Sequence, residues 1–242
     1  MSLEEAVQQS SAYVFRRNDM HRHELRENSS LRQIKHGDLL FYGWGSHIYD
    51  VVMVRLTRRL YQRVIADIAP GLSEGKVLDA GTGPGTLARD IARRQPGLQV
   101  YGIDLSEDMI GLAREHARRE QLEERVHFDI GNIAQMPYPD HSFDLVVSTI
   151  SMHHWYEIEQ PLRDLDRVLR PGGRLWIYDF RLVKVQTVEK ALANTPFVGT
   201  RLEHTLVRTG FFPFALYRRF ALQKIGSGDH QQGSKPADEA GL

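Results

Sequence analysis

The stretch KVLDAGTGPG, residues 76–85, joins a short apolar run to a loop with three glycines at alternate positions. The apolar run predicts a buried β-strand that ends in an acid, Asp79. Gly81, Gly83 and Gly85 permit positive φ and leave no Cβ between the backbone and a ligand. In a doubly wound parallel sheet, ligands bind at a loop of this kind. The stretch therefore predicts an α/β fold with a binding site at the carboxyl end of this strand.

Downstream of the loop, apolar runs alternate with amphipathic segments, which is typical of βα units in a mostly parallel sheet. We predict seven strands, at residues 76–79, 98–103, 125–130, 143–150, 174–180, 203–207 and 216–222. We expect helices at residues 51–68, 86–94, 107–120, 162–169 and 185–193, and a turn at 171–173. Ser106 should be the N-cap of the third helix. The run FDLVVSTI at 143–150 is apolar almost throughout, so it should lie near the centre of the sheet. The last two strands should form an antiparallel pair.

The composition suits one large domain with terminal additions. The chain has 242 residues, of which 41% are hydrophobic and 26% charged. We expect a helical cap or lid in residues 1–70, the α/β domain in residues 71–225 and a disordered tail in residues 226–242. No segment has the apolar core of a secretory signal or the ~20 apolar residues of a membrane span. We therefore expect a cytoplasmic monomer or homodimer with no membrane partner.

Charge and cysteine content narrow the possible functions. The 31 basic and 31 acidic residues cancel, which disfavours nucleic acid as a partner. The chain has no cysteine, which excludes a disulfide framework, a thiolate zinc site and a cysteine nucleophile.

Three ligands compete for the glycine loop. A triphosphate-binding loop requires G-x-x-x-x-G-K-[ST], and no lysine follows these glycines. A dinucleotide fingerprint requires G-x-G-x-x-G, but Thr86 stands where its third glycine would fall. Asp79 would repel a pyrophosphate and attract the ammonium or sulfonium group of S-adenosyl-L-methionine. Asp104 follows the second apolar run and could accept hydrogen bonds from ribose hydroxyls, a device that dinucleotide enzymes share. S-adenosyl-L-methionine is therefore favoured over NAD.

Four segments, in this order and spacing, resemble the class I S-adenosylmethionine-dependent methyltransferases, in particular the broad group that includes the ubiquinone and menaquinone biosynthesis methyltransferases. The segments are VLDAGTGPG at 77–85, GIDLS at 102–106 with Met109, DIGNI at 129–133 with MP at 136–137, and RVLRPGG at 167–173. The resemblance covers about residues 49–180. It implies a Rossmann-like methyltransferase fold and leaves the methyl acceptor undefined.

The resemblance also implies which residues hold the cofactor. The glycine loop would hold the methionine moiety, Asp104 the ribose, and the segment around Asn132 the adenine. The family commonly has aspartate where this chain has Asn132, but the amide oxygen can still accept a hydrogen bond. The implied set is Tyr49, Asp79, Ala80, Gly81, Thr82, Gly83, Gly85, Asp104, Leu105, Met109, Asn132, Ile133, Ser148 and Thr149.

Two histidines follow the fourth predicted strand, in SMHHW at 151–155. Alignment of the reacting atoms supplies most of the catalysis in methyl transfer, so no base is strictly required. A hydroxyl acceptor, or an acidic carbon beside a carbonyl, would benefit from a histidine that removes its proton. His153 and His154 are the candidate bases, with a role as pocket wall as the alternative. Adjacent side chains should point in different directions, so we expect no shared metal site.

The favoured function is methyl transfer to a small-molecule acceptor, and several alternatives remain. The same fold could serve a non-catalytic S-adenosylmethionine-binding or adaptor protein, an RNA or protein methyltransferase, or a nicotinamide dehydrogenase. A basic face that includes Arg55, Arg58, Arg59 and Arg63 would favour RNA or protein, although a solvated face is the commoner explanation. Enzymes that methylate exocyclic base amines carry an Asn/Asp-Pro-Pro-Tyr segment at the end of the fourth strand. This chain has STIS at 148–151 in that place, which disfavours methylation of adenine N6.

Overall fold

The computed structural model describes residues 46–155, 157–209 and 215–226, with side chains from Thr57 onward. The chain divides into two compact units, Met1–Leu60 and Tyr61–Leu242. All the contacts discussed below lie within the second unit. Most of the cap predicted for residues 1–70, and nearly all of the tail predicted for residues 226–242, lie outside the described residues, so both stay predictions.

The helices and strands follow the predicted alternation. The helices are α1 (Ser46–Ile68), α2 (Thr86–Arg94), α3 (Glu107–Arg119), α4 (Glu159–Val168) and α5 (Val185–Leu192). The strands are β1 (Gly75–Ala80), β2 (Leu98–Asp104), β3 (Val126–Ile130), β4 (Phe143–Thr149), β5 (Leu169–Phe180), β6 (Glu203–Val207) and β7 (Tyr217–Gln223). Ser106 caps α3 as expected, since its hydroxyl accepts a hydrogen bond from the Met109 amide. Helix α4 begins three residues before its predicted start, because Pro161 is tolerated in a first turn.

The seven strands form one sheet in the order β3-β2-β1-β4-β5-β7-β6. Strands β1 to β5 are parallel, while β7 is antiparallel to both β5 and β6. The predicted seven-stranded, mostly parallel Rossmann-like fold is confirmed, as are the central position of β4 and the antiparallel last pair. The strand order reverses between β1 and β4, and ligands bind at the carboxyl ends of strands beside such a switch point.

Strand β5 begins earlier than predicted. The segment PGG at 171–173, predicted as a turn, lies within β5. Leu169 pairs with Phe143 and Arg174 pairs with Leu145, so the residues between 169 and 174 bulge out of the ladder. Gly172 and Gly173 exchange backbone hydrogen bonds with Lys224, just after β7. The prediction of a turn was wrong because these backbone groups find partners in a segment that is distant in sequence.

Candidate active site

The glycine loop between β1 and α2 presents open backbone at the carboxyl end of β1. Gly81, Gly83 and Gly85 all have positive φ, of 79°, 53° and 73°. The amides of Gly81 and Thr82 donate to the Ile103 carbonyl at 2.9 and 3.0 Å, which fixes the loop against β2. A Cβ built at Gly83 would meet no atom of the described residues within 4 Å. Gly83 therefore has the conformation and the free space that a closely approaching ligand requires, whereas a Cβ at Gly81 or Gly85 would meet Ser151 or Phe128.

Asp79 is buried directly beneath this loop, with 1% of its surface exposed. Its Oδ2 accepts a hydrogen bond from the Thr82 hydroxyl at 2.7 Å. Its Oδ1 is buried and makes no hydrogen bond of normal geometry with the described residues. The pKa of this carboxyl is raised to about 7, mainly by burial and to a smaller extent by the charge of Asp104, while hydrogen bonds from Thr82 and from the Ala88 backbone oppose the rise. A buried carboxyl group whose Oδ1 has no hydrogen bond of normal geometry among the described residues fits a cationic group of a ligand.

Asp104, at the end of β2, is fixed by backbone amides on both sides. Its Oδ2 accepts from Gly83 at 2.8 Å, and its Oδ1 accepts from Ser106 at 3.0 Å. These bonds hold the carboxylate between the glycine loop and the start of α3. Each carboxylate oxygen keeps a further lone pair, so the group fits the ribose hydroxyls that the sequence assigned to it.

An apolar surface continues from Asp104 toward the end of β3. Leu105 is 74% exposed, and Ile130 is also exposed, in a part of the chain where most large apolar side chains are buried. Such a surface fits one face of an adenine ring. Asn132 uses its Oδ1 to accept from the Ala134 amide at 2.9 Å, within its own loop. Ile133 packs against the hydrophobic core. Contacts of Asn132 and Ile133 with adenine stay predictions.

Strand β4 ends in two buried hydroxyl groups that already have partners. The Ser148 hydroxyl donates to the Ala80 carbonyl at 2.8 Å and so joins β4 to the end of β1. Thr149 hydrogen-bonds to the Tyr61 hydroxyl, and burial, together with the charge of Asp79, raises the pKa of that phenol. These two residues support the wall of the site, and their direct contact with a ligand stays a prediction. Sequence reasoning missed Tyr61 because it lies on α1, outside the motifs.

The chain turns sharply after β4 and carries the histidine segment over the site. Ile150 has φ of 51°, a left-handed conformation that is strained for a β-branched residue, and its amide donates to the Tyr178 carbonyl at 2.7 Å. A Cβ at Gly81 would lie 2.4 Å from Ser151 Oγ, so the histidine segment lies directly against the glycine loop. The Trp155 indole donates to the same Ser151 Oγ at 3.2 Å. Ser151, two residues before the candidate base His153, therefore lies against the glycine loop.

His153 is oriented by Asp179, a residue of β5 that sequence reasoning did not select. The His153 Nδ1 lies 2.9 Å from Asp179 Oδ1, and the His153 amide donates to Asp179 Oδ2 at 3.1 Å. The Phe180 amide also donates to Oδ1, at 2.7 Å. Asp179 is fully buried, whereas the His153 side chain is 29% exposed. Because the carboxylate accepts from two amides, we assign the ring proton to Nδ1, which leaves the Nε2 lone pair as the basic site.

The rings of His153 and His154 lie together, with centroids 3.9 Å apart. The expectation that these adjacent side chains point in different directions was wrong, since the two rings meet although residues 152–154 form a 3-10 turn. In the described part of the chain, no group of three or more histidine, aspartate and glutamate side chains could hold a metal ion. No described helix is long and apolar enough to cross a membrane.

The second unit thus brings most of the predicted set to one edge of the sheet. The residues placed at or directly behind the carboxyl ends of β1, β2 and β4 are Asp79, Ala80, Gly81, Thr82, Gly83, Gly85, Asp104, Leu105, Met109, Ser148, Thr149, His153 and His154. Tyr49 lies on α1, and its side chain is outside the described residues. The signal for Asp179 was present: like Asp79 and Asp104, it is an acid near the end of an apolar strand.

A family model described as a methyltransferase domain matches residues 72–215, which is more than half of the chain. The chain belongs to this methyltransferase family. The membership confirms the resemblance to S-adenosylmethionine-dependent methyltransferases on which the sequence interpretation relied.

Two curated relatives resemble this methyltransferase chain over about half of its length. It is 35% identical over 153 residues to a 27-O-demethylrifamycin SV methyltransferase of Amycolatopsis mediterranei, covering 60% of this chain and 56% of that protein. It is 36% identical over 122 residues to a demethylmenaquinone methyltransferase of Deinococcus radiodurans, covering 50% of each. The chain spans about half the length of the curated relatives it matches.

A solved structure shares the fold of this methyltransferase chain. It is a SAM-dependent methyltransferase from Aquifex aeolicus, 23% identical, with a TM-score of 0.56. The match covers 68% of this chain and 89% of that one.

Proposed function

We propose that this chain transfers the methyl group of S-adenosyl-L-methionine to a hydroxyl, or to an acidic carbon beside a carbonyl, of a small molecule, with His153 as the general base. The observation that carries the proposal is the hydrogen bond between His153 and the buried Asp179, next to a glycine loop that fits the cofactor. When bound, S-adenosyl-L-methionine supplies a methyl group on a sulfonium leaving group.

The residues at the ends of β1 and β2 would hold that cofactor. Asp79 would face its cationic end with Oδ1, and Asp104 would accept from its ribose hydroxyls. The exposed Leu105 would cover one face of the adenine. Holding the reacting groups in line supplies most of the rate enhancement that such a reaction needs.

His153 would remove the acceptor proton at Nε2. The buried Asp179 carboxylate fixes the ring by accepting from Nδ1, and its negative charge stabilises the imidazolium that forms. An amine acceptor that is neutral when it reacts needs no such base, so this arrangement favours an acceptor that must lose a proton.

The names of the curated relatives support a small-molecule acceptor. The Amycolatopsis protein is named for methylation at an oxygen of a rifamycin, and the Deinococcus protein for methylation of demethylmenaquinone. A hydroxyl or an acidic carbon of a small molecule is consistent with both names. A non-catalytic binding protein is the second candidate, because the same cofactor geometry would also serve it.

Calorimetric titration with S-adenosyl-L-methionine, S-adenosylhomocysteine and NAD tests the cofactor, and an acceptor screen with labelled cofactor then tests turnover. We expect His153→Ala to keep the cofactor affinity and to lower turnover at least ~100-fold, the lower end for loss of a general base. His204→Ala, at an exposed histidine on β6, is the matched control. Failure to bind either adenosyl ligand would refute the proposal; binding without turnover of any acceptor would favour the non-catalytic role.

A further inference from the structure

The connection between β3 and β4 is a long loop without a helix. Residues 131–142 lead from β3, at the edge of the sheet, to β4 near its centre. Backbone groups in such a loop have no helical partners, so other groups must satisfy them. This loop carries Asn132 and Ile133, the residues assigned to the adenine. Whatever fixes its backbone therefore also sets the shape of the adenine side of the site.

Arg167, on α4, supplies donors to the middle of this loop. Its guanidinium donates to the Tyr138 carbonyl at 2.6 Å, the Met136 carbonyl at 3.0 Å and Asp140 Oδ1 at 2.9 Å. Asp164, one turn earlier on α4, holds the guanidinium through two bonds of 2.7 and 3.1 Å. Asp164 Oδ2 also accepts from the Met136 amide at 2.6 Å.

The two ends of the loop are fixed separately. At the start, the Gly131 amide donates to the Asp104 carbonyl at 2.9 Å. At the end, the amides of His141 and Ser142 donate to the carbonyls of Arg167 and Val168. Neither set of bonds restrains the stretch from Asn132 to Asp140. Within it, the Tyr138 hydroxyl donates to Asp129 Oδ2 on β3 at 3.0 Å, and the Met136 side chain is buried in the core. The ties of this stretch to α4 are the Arg167 side chain and Asp164, which Arg167 also holds.

We infer that Arg167 is a positioning residue for the adenine segment. The planar guanidinium group of Arg167 hydrogen-bonds at the same time to two loop carbonyls, to the Asp140 carboxylate and to Asp164. A lysine ammonium group is a point charge and cannot reproduce that geometry. Asn132 and Ile133 follow the end of β3, where Ile130 pairs with Asp104, the residue before Leu105. The inference rests on the adenosine part of the proposed function, and it assigns Arg167 no contact with the ligand.

Calorimetry with S-adenosylhomocysteine and with adenosine, at 15 °C, tests this role. We expect Arg167→Met to weaken both ligands by the same factor, about tenfold or more, because several charge-assisted hydrogen bonds to the loop are lost. Arg167→Lys should give an intermediate loss. The control is Arg170→Met, in the same RVLRPGG segment as Arg167, which breaks an exposed ion pair between Arg170 and Asp144. Its affinity for both ligands should stay within about twofold of wild type.

Amide hydrogen exchange separates positioning from a merely structural role. In Arg167→Lys we expect faster exchange over residues 132–140, by about tenfold, with unchanged exchange in the glycine loop. A folded Arg167→Met that binds both ligands as the wild type does would overturn the inference, and so would unchanged exchange in the loop. If Arg167→Met does not fold, Asp140→Ala is measured instead. We expect it to lower the affinity for both ligands about threefold, and an unchanged affinity would overturn the inference. Failure of the wild type to bind either ligand would refute the proposed cofactor site itself.

Discussion

The carboxyl ends of β1 and β2 and those of β4 and β5 form two halves of the candidate site, and they differ in what holds their functional groups. In the first half, backbone amides fix Asp104, and positive φ values shape the glycine loop. In the second half, two side chains that are 26 residues apart hold each other, His153 and Asp179. Backbone conformation is encoded locally by glycine, whereas a pair of side chains depends on how two strands and a turn are packed. The comparison predicts that changes in the first half affect binding and changes in the second half affect turnover.

The largest expected effect lies in the second half. In Asp179→Asn an amide replaces the carboxylate; its NH₂ group could donate to Nδ1 and move the ring proton to Nε2. We expect kcat for the acceptor found by screening to fall about 100- to 10,000-fold, with cofactor affinity within about twofold of wild type. Nitrogen NMR of the His153 ring reports the tautomer directly. The control is Asp67→Asn. The Asp67 carboxylate, on α1, accepts a hydrogen bond from Tyr178, the residue before Asp179 on β5. An unchanged kcat would remove Asp179 from the mechanism.

A smaller effect is expected for Asp104→Ala in the first half. It removes the group assigned to the ribose hydroxyls and the acceptor that fixes Gly83. We expect affinity for S-adenosylhomocysteine to fall about 100-fold, as for the loss of two hydrogen bonds to a charged group. Asp108→Ala removes an equal charge from an exposed position in the first turn of α3 and should have little effect. Equal affinities for these two variants would contradict the assignment.

Alanine substitutions at two glycines of the first half should separate an effect on cofactor affinity from an effect on stability. Gly83 has φ of 53° and open space beside it, so Gly83→Ala should cost about 1 kcal/mol of stability and lower cofactor affinity about tenfold. A Cβ at Gly102 would lie 2.6 Å from the Phe128 ring and 2.8 Å from Thr82 Oγ1, so Gly102→Ala should cost about 1–3 kcal/mol. Thermal melts and calorimetry measure both quantities. A Gly83→Ala protein with full affinity would show that the ligand does not approach this loop.

The smallest expected effect is a dependence of cofactor affinity on pH. Burial raises the pKa of Asp79 from 3.8 to about 7. The Asp79 carboxyl therefore loses its proton at a lower pH in the unfolded chain than in the folded protein. Stability of the ligand-free protein should consequently fall as pH rises from about 4 to 7. A cationic ligand requires the carboxylate, so affinity for S-adenosyl-L-methionine should rise about fivefold between pH 6 and pH 7, where the ligand's α-amino group is still charged.

Asp79→Asn tests that dependence, because the variant has no titrating carboxyl group at this position. We expect a flat affinity profile between pH 6 and pH 7. The same rise in the variant would place the titrating group elsewhere. A rise for S-adenosyl-L-methionine that is absent for S-adenosylhomocysteine would indicate that Asp79 faces the sulfonium rather than the ammonium group.

The sequence predicted the parts of this molecule that depend on neighbouring residues. The bounds of α2 and the cap of α3 are as predicted, because glycine, serine and apolar spacing act within a few residues. The bulge in β5 was missed, because its backbone partners lie beyond β7. The loop that Arg167 holds was visible in the sequence only as a motif, with no indication of what the arginine contacts.

The sequence by itself determined the fold class, the glycine loop and the cofactor that the loop fits, since each follows from local conformation and from the chemistry of residues in one segment. Only the tertiary structure decided that Asp179 orients His153, that Ser148 uses its hydroxyl on Ala80, and that the histidine segment lies against Gly81. Those contacts join segments that meet only because β4 and β5 lie side by side in the sheet and β1 adjoins β4. No periodicity or spacing in the sequence specifies which side chains face each other across such a junction.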